Sequence, residues 1–452
     1  MDRHNLNELF SRAVSCHPCL REGKNNGREA SSPRMKNIDR RALLKMAGGA
    51  LLASGTSFAG TLHDLSGDSI FIDWNFEGGS LTRAERTGSA AFRCHVNGQV
   101  DQEGRNRQAS WYYFRVNRAK GRTLTFTMVD LSGEYNYRSN AGAITGDTLP
   151  FYSSDGTSWV PVESAKYDAS SPALTYEIEM TSDRVWIAHA PPYTHTNFKA
   201  LSEDLAHNPN VTIETIGRSV EGRDIPLVTI TDPTKSDKNK KVIWLMFRQH
   251  AWESGSSWTG EGLMRFFSSA DPLATQIRRE GIVKVLPLCD PDGVFHGTVR
   301  FNRHGFDLNR NWDVVDPTKM PEITAERKAI SEWMKAGRKI DFFLTLHNDE
   351  YNEYLDGPPD QRWSTLLQKV SNNWSSGKTF EPTQKPSLIA VTTTEGKPGR
   401  MNVVQGLSHD FGLPAFEVEM RITKHPKLGR RPNVQDRLLA GRELIEAIWK
   451  SI

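Results

Sequence analysis

The chain has 452 residues, 57 of them Lys or Arg and 54 Asp or Glu, with 37% hydrophobic residues and four cysteines. The formal net charge of +3 becomes 2 negative once residues 1–59 are set aside, with 47 basic side chains against 49 acidic ones; so near-neutral a body argues against nucleic acid as a partner. Cys16 and Cys19 lie in that leading stretch and only Cys94 and Cys289 follow it, so no disulfide framework is implied. No stretch beyond residue 59 approaches the roughly 18 apolar residues of a membrane-spanning helix.

At the amino terminus, Asp39-Arg40-Arg41-Ala42-Leu43-Leu44-Lys45 leads into an apolar run from Met46 to Phe58 and the small-residue end Ser57-Phe58-Ala59. A basic region, a short apolar region and a cleavage site in that order read as a twin-arginine export signal. Cleavage is expected after Ala59, giving a periplasmic or secreted product exported in the folded state. An amphipathic surface helix is the alternative, which Gly48, Gly49, Ser54 and Gly55 would weaken. The polar segment ahead of Met35 has no apolar pattern, which makes Met35 a candidate start.

About 390 residues remain, enough for two domains with cores of their own. Residues 60–190 form the first. Leu124, Phe126 and Met128 alternate with Thr123, Thr125 and Thr127, and Leu174, Tyr176, Ile178 and Met180 alternate with Thr175, Glu177 and Glu179. Period two with one apolar face predicts half-buried strands. With turn signals such as Asp155-Gly156 and no helical period, a small antiparallel β-sandwich follows. Trp111, Tyr112 and Tyr113 belong either to its core or to a sugar-binding face.

After Pro191-Pro192-Tyr193-Thr194 the pattern changes, and residues 191–452 form the second domain. Strand-like apolar runs (Val242 to Phe247, Ile282 to Leu288, Phe342 to Leu346, Leu388 to Val391, Ala415 to Met420) alternate with helical stretches (Ser256 to Phe267, Glu322 to Lys335, Trp363 to Trp374, Val434 to Trp449). That is an α/β domain with a largely buried sheet, whose strand ends carry the site.

The strand ends hold the chemistry. His250 and Glu253 follow the first run and His347 closes the third. Two ligands three residues apart plus a distant third are the layout of a catalytic zinc site, in which the fourth tetrahedral position stays open for water. H-x-x-E arises often by chance and a histidine at a strand end is usually a hydrogen-bonded loop residue. Here the pair sits in an ordered series: Arg248, then Ser257-Trp258, Asp290-Pro291-Asp292-Gly293, Asp307-Leu308-Asn309-Arg310-Asn311-Trp312, His347 and Glu419.

That series resembles the zinc carboxypeptidases of the carboxypeptidase A type, and most closely the cytosolic-carboxypeptidase-like branch, with its R-x-H-P-G-E, S-W, N-P-D-G and D-L-N-R blocks. Ile216 to Arg223 resembles the branch's I-G-x-S-x-E-G-R hairpin. Ala251-Trp252 stands where the branch has Pro-Gly, Asp290 where Asn is usual, and Glu417 where a small hydroxyl residue is usual. The resemblance implies an α/β/α zinc carboxypeptidase domain with a mixed central sheet behind a β-sandwich, one Zn²⁺ per chain, and a peptide or protein C-terminus as substrate.

It also implies roles. Zinc on His250, Glu253 and His347 would lower the pKa of a bound water from 15.7 towards ~7 and polarise the scissile carbonyl. Glu419, in Val418-Glu419-Met420-Arg421, matches the general base. Glu417, two residues earlier and therefore on the same strand face, is its rival. Arg300 matches the oxyanion-stabilising arginine, with Arg303 as fallback. Asn309 and Arg310 match the pair that grips the terminal carboxylate, and Asp307 resembles the carboxylate that orients the first zinc histidine, a turn cap being its plainer role. Glu417 at the last-residue pocket would favour substrates ending in Lys or Arg. The resemblance gives no counterpart of the family's mobile tyrosine; Arg400 and Tyr351 are expected near the site, and spacing establishes neither in that role. Two alternatives stay open: a zinc amidase or deacylase acting on cell-wall peptides, and a non-catalytic binding protein on the same fold.

Overall fold

The structure is a computed structural model that describes residues 69–140, 142–358, 360–388 and 398–452. The leader and the expected strand residues 389–391 lie outside them. No described helix is long and apolar enough to cross a membrane.

Residues 71–188 build two five-stranded sheets face to face. One runs Phe71–Asp73, Tyr113–Asn117, Arg184–Ala188, Phe151–Ser153 and Val160–Pro161. The other runs Lys166–Asp168, Ala173–Glu179, Thr123–Val129, Ala91–His95 and Arg83–Arg86. The period-two reading holds: Leu124, Phe126 and Met128 are buried opposite Ile178, Tyr176 and Leu174, while the intervening threonines are not. One departure from the expected antiparallel pattern is the parallel pairing of Ala91–His95 with Thr123–Val129. A further small sheet of Gln99–Val100, Arg107–Gln108, Gly133–Tyr135 and Arg138–Asn140 was not foreseen, because strands of two or three residues carry no readable period.

The second domain is built on eight strands: β1 (Val211–Arg218), β2 (Asp224–Ile230), β3 (Lys241–Phe247), β4 (Gly281–Leu286), β5 (Phe342–Asp349), β6 (Tyr354–Gly357), β7 (Ser387–Leu388) and β8 (Ala415–Arg421). Their order is β1-β2-β4-β3-β5-β8-β6-β7. The centre, β4-β3-β5-β8, is parallel, and antiparallel pairs flank it at β1-β2-β4 and β8-β6. A central parallel strand is covered on both faces, which is why β3 is apolar at every position from Val242 to Phe247. Ile243, Leu245 and Phe247 pack with α2 (Ser254–Ser268) and α8 (Val434–Ser451), whereas Val242, Trp244 and Met246 pack with α5 (Pro321–Lys335) and α7 (Val403–Phe411). The remaining helices are α1 (His195–Leu205), α3 (Pro272–Glu280), α4 (Pro291–His296) and α6 (Ser364–Ser375). The four helices expected from sequence fall within two residues of their observed ends. α1, α3, α4 and α7 were missed, being only 6 to 11 residues long.

The domains meet in a shared apolar cluster of Trp111, Tyr113 and Ala188 from the sandwich with Trp252, Val299 and Ile422 from the α/β domain. The Trp111 indole N–H donates to the Gly78 carbonyl at 3.0 Å, and Tyr112 lies inside the sandwich core. These three aromatics therefore offer no sugar-binding face: all are buried, because alternation points Trp111 and Tyr113 at the interface and Tyr112 at the core. Trp111→Ala is expected to cost about 3–5 kcal/mol of stability, as large-to-small core changes do, measured by denaturant unfolding. A cost below about 0.5 kcal/mol, typical of a surface site, would contradict this packing.

Candidate metal centre

β3 ends at Phe247 and the chain turns sharply before α2. Arg248 takes a left-handed conformation, φ 65°, which costs on the order of 1–3 kcal/mol and persists only where the surroundings over-determine it. They do so here: the buried Arg248 guanidinium donates from Nε to the Ala251 carbonyl at 2.8 Å and from Nη1 to the Tyr193 carbonyl and Ser257 Oγ at 3.1 and 3.2 Å. Burial draws its pKa down to about 10. The turn delivers His250 and places Glu253 at the N-cap of α2, where the positive end of the helix dipole favours a carboxylate. β5, hydrogen-bonded to β3, delivers His347 on the same sheet face as Phe343 and Thr345.

The three side chains converge. His250 Nδ1 lies 2.7 Å from Glu253 Oε1, His347 Nδ1 lies 3.0 Å from Glu253 Oε2, and the two Nδ1 atoms are 3.2 Å apart. One ligand atom from each fits within a 4.8 Å set, and all three residues are buried. Each far nitrogen is engaged elsewhere. His250 Nε2 faces Asp307 Oδ1 at 3.1 Å, a carboxylate that can only accept once ionised. His347 Nε2 faces Gln249 Oε1 at 3.2 Å. The Gln249 amide is oriented by donating from Nε2 to the Leu308 carbonyl at 2.8 Å, while its Oε1 accepts from Thr345 Oγ1 at 2.8 Å. With both Nε2 atoms protonated, two lone pairs and a carboxylate face one point, a donor set that fits a zinc ion.

The electrostatics agree. Burial pushes the Glu253 carboxyl up, but the two imidazoles outweigh it and hold its pKa at about 2. Burial and Arg300 press His250 down, and Glu253 and Asp307 more than reverse this. Asp307 is held well below the usual carboxylate range, because Arg300 and His250 overcome its burial.

A short hairpin closed by the Phe301–Asp307 bridge brings Arg300 and Asp307 together. Arg300 Nε donates to Asp307 Oδ2 at 2.7 Å. Arg303 instead donates to Glu221 at 2.7 Å, away from the three ligands. Glu419 on β8 is in register with His347 on β5. Its Oε2 is shut off from solvent with no hydrogen-bond partner among the described residues. Burial first, then Glu253, Glu417 and Asp349, raise its pKa well above the usual range against the pull of Arg300. Glu417 Oε2 accepts from Asn309 Nδ2 at 2.8 Å and Asn402 Nδ2 at 3.4 Å, and lies 4.0 Å from His347 Nε2. Asn309 Oδ1 accepts from the Val403 amide at 3.1 Å. Arg310, Arg300 and Arg400 line a cleft of about 290 Å³ whose other wall includes Asp101, Arg105 and Tyr135. Tyr351 lies 3.0 Å by its hydroxyl from Thr145 Oγ1 of the sandwich.

The departures noted in the sequence lie around the ligands. Asp290 caps α4 through the Gly293 amide at 2.8 Å, and its own amide donates to the Arg248 carbonyl at 3.1 Å, bracing the ligand loop. Trp252 belongs to the domain interface. Gln249, Thr345 and Asn402 were missed. Thr345 was accessible to sequence reasoning, being two residues before His347 on one strand, whereas neither Gln249 nor Asn402 carries a sequence signal. Gln249→Ala is expected to weaken zinc binding about 10- to 100-fold, as loss of a group orienting a ligand does, in a chelator-competition titration. Unchanged affinity would remove Gln249 from the site.

Residues 198–373 match the zinc carboxypeptidase family model, and residues 72–189 match the cytosolic carboxypeptidase N-terminal domain. The first match contains His250, Glu253 and His347 and ends before Glu419. The chain is 27% identical to human (Homo sapiens) cytosolic carboxypeptidase 2 over 316 residues, 64% of this chain and 34% of that protein; it thus spans about a third of that relative's length. An uncharacterized protein of Zymomonas mobilis is 26% identical over 280 residues, 62% of this chain and 67% of that one. The fold superposes on a metallo-carboxypeptidase from Burkholderia cenocepacia with a TM-score of 0.73 at 23% identity, over 85% of this chain and 98% of that one. The chain carries a zinc carboxypeptidase domain behind an N-terminal domain of the cytosolic carboxypeptidase type.

Proposed function

We propose that the chain is a zinc metallocarboxypeptidase that removes the last residue of peptides or proteins. The observation that carries this is the convergence of His250 Nδ1, His347 Nδ1 and both oxygens of Glu253 on one buried point, beside a cleft lined by arginines. Zinc held there supplies Lewis acidity toward a scissile carbonyl and the attacking water.

The chain's own groups do the rest. Glu419, on the strand beside His347, takes the proton of the water and returns it to the leaving amine; a raised proton affinity suits a group with both tasks. Arg300, fixed by Asp307, stabilises the oxyanion with an always-charged donor. Arg310, on the cleft wall, grips the terminal carboxylate, and Asn309 stands beside it, its amide held by Glu417 and Val403. Such a grip favours cleavage at the chain end, which supports a carboxypeptidase over a cell-wall amidase, and the converging His250, Glu253 and His347 with Glu419 beside them support an enzyme over a binding protein. With the export signal read from Arg40-Arg41, the substrates would be peptides outside the cytoplasm. Glu417 would also favour a basic last residue, although its carboxylate is already partnered by two asparagine amides.

Glu419→Gln is expected to lower the release of single C-terminal amino acids from a peptide pool about 10²- to 10⁴-fold, the usual contribution of a general base, with zinc content unchanged; mass spectrometry follows both. Undiminished release would exclude Glu419 as the base, and a zinc-loaded wild type releasing no amino acid would favour the amidase. Matched peptides ending in Lys, Leu and Glu test specificity: Lys is expected to turn over fastest, and equal rates would sink the role given to Glu417.

A further inference from the structure

The arginine proposed to meet the oxyanion is held from the other domain. Gln99 opens the two-residue strand Gln99–Val100 in the small sheet of the N-terminal domain. Its side-chain Oε1 accepts from three consecutive backbone amides, Val299 at 3.0 Å, Arg300 at 2.6 Å and Phe301 at 2.9 Å, and its Nε2 donates to the Phe301 carbonyl. One amide side chain thus engages the backbone on both sides of the Arg300 Cα.

The far end of the same hairpin is pinned as well. The Gln102 amide donates to the Gly305 carbonyl at 3.1 Å. Gly305 has φ +83°, and a Cβ there would meet Gln102 N at 2.6 Å, so the two segments lie backbone to backbone. From this hairpin Arg300 reaches Asp307 Oδ2 at 2.7 Å, and Asp307 Oδ1 reaches His250 Nε2 at 3.1 Å. Asp101 and Arg105, two and six residues after Gln99, line the same cleft as Arg300 and Arg310.

We infer that Gln99 is a positioning residue: through the backbone of residues 299–301 it fixes Arg300 against the reacting carbonyl, making the N-terminal domain part of the active site. This rests on the role of Arg300 proposed above. An arginine that stabilises developing charge must be placed to within a fraction of an ångström before reaction, since small misplacements cost as much as 100-fold in rate. The Trp252 amide also donates to the Val299 carbonyl at 3.0 Å, but the three amides of residues 299–301 share the Gln99 oxygen, which the small sheet of the N-terminal domain supplies.

The test uses the full zinc-loaded chain and a peptide substrate. Gln99→Ala is expected to lower kcat about 10- to 100-fold with KM and zinc content near wild type, and to speed amide exchange in residues 299–307 alone. Gln99→Glu keeps the acceptor for the three amides and is expected to restore most of kcat. In an Arg300→Lys background Gln99→Ala should add less than about two-fold, because coupled residues are not additive. Equal losses in both backgrounds, or wild-type kcat in Gln99→Ala, overturn the inference. Should Gln99→Ala not fold, Gln99→Asn, one methylene short of the amides, replaces it. Arg300→Lys with wild-type kcat would instead defeat the role of Arg300 itself. If the chain cleaves no peptide, exchange decides, and unchanged protection of 299–307 in Gln99→Ala overturns the inference.

Discussion

The structure turns on a carboxylate buried between two imidazoles. Taking Glu253, His250 and His347 out of water together is costly unless every polar atom is met, and the surrounding chain meets them. Asp307 takes the far nitrogen of His250, Gln249 that of His347, and Arg300 balances Asp307. The two Nδ1 atoms lie 3.2 Å apart and each faces an oxygen of Glu253, three donor groups around one point that a cation would bridge. The tight Arg248 turn, the N-cap position of Glu253 and the parallel pairing of β3 with β5 all follow from having to hold these atoms together.

The sandwich is more than a neighbour of that centre. Its aromatics Trp111 and Tyr113 share a cluster with Trp252, which stands between the first two ligands in sequence, and Gln99 holds the segment carrying Arg300. Two domains with separate cores thus meet where the chemistry is proposed, and the cleft has walls from both.

What the sequence disclosed follows from where periodicity and chemistry are strong. β3, β5 and β8 are continuous or alternating apolar runs, and His250, Glu253 and His347 lie at or near the ends of β3 and β5, so the metal set could be read once the ordered motifs around them were counted in. Residues whose role depends on long-range contact could not. Gln99 lies about two hundred residues from the backbone it holds, in a strand too short to show a period. Gln249 is an ordinary glutamine until its Nε2 is seen fixed on Leu308. The resemblance put Arg300 ahead of Arg303 without a physical reason, and the Phe301–Asp307 hairpin supplies one by turning the first towards Asp307 and the second towards Glu221. The sugar-face option for Trp111 to Tyr113 failed because alternation cannot tell a solvent face from a domain interface.

The central claim is that one zinc ion sits at the point where His250, Glu253 and His347 converge. Anomalous diffraction on crystals of the zinc-loaded protein, collected on both sides of the zinc absorption edge, tests it directly. The account predicts a single strong peak within bonding distance of His250 Nδ1, His347 Nδ1 and the Glu253 carboxylate. A peak elsewhere, or none at this point in zinc-saturated crystals, would contradict it.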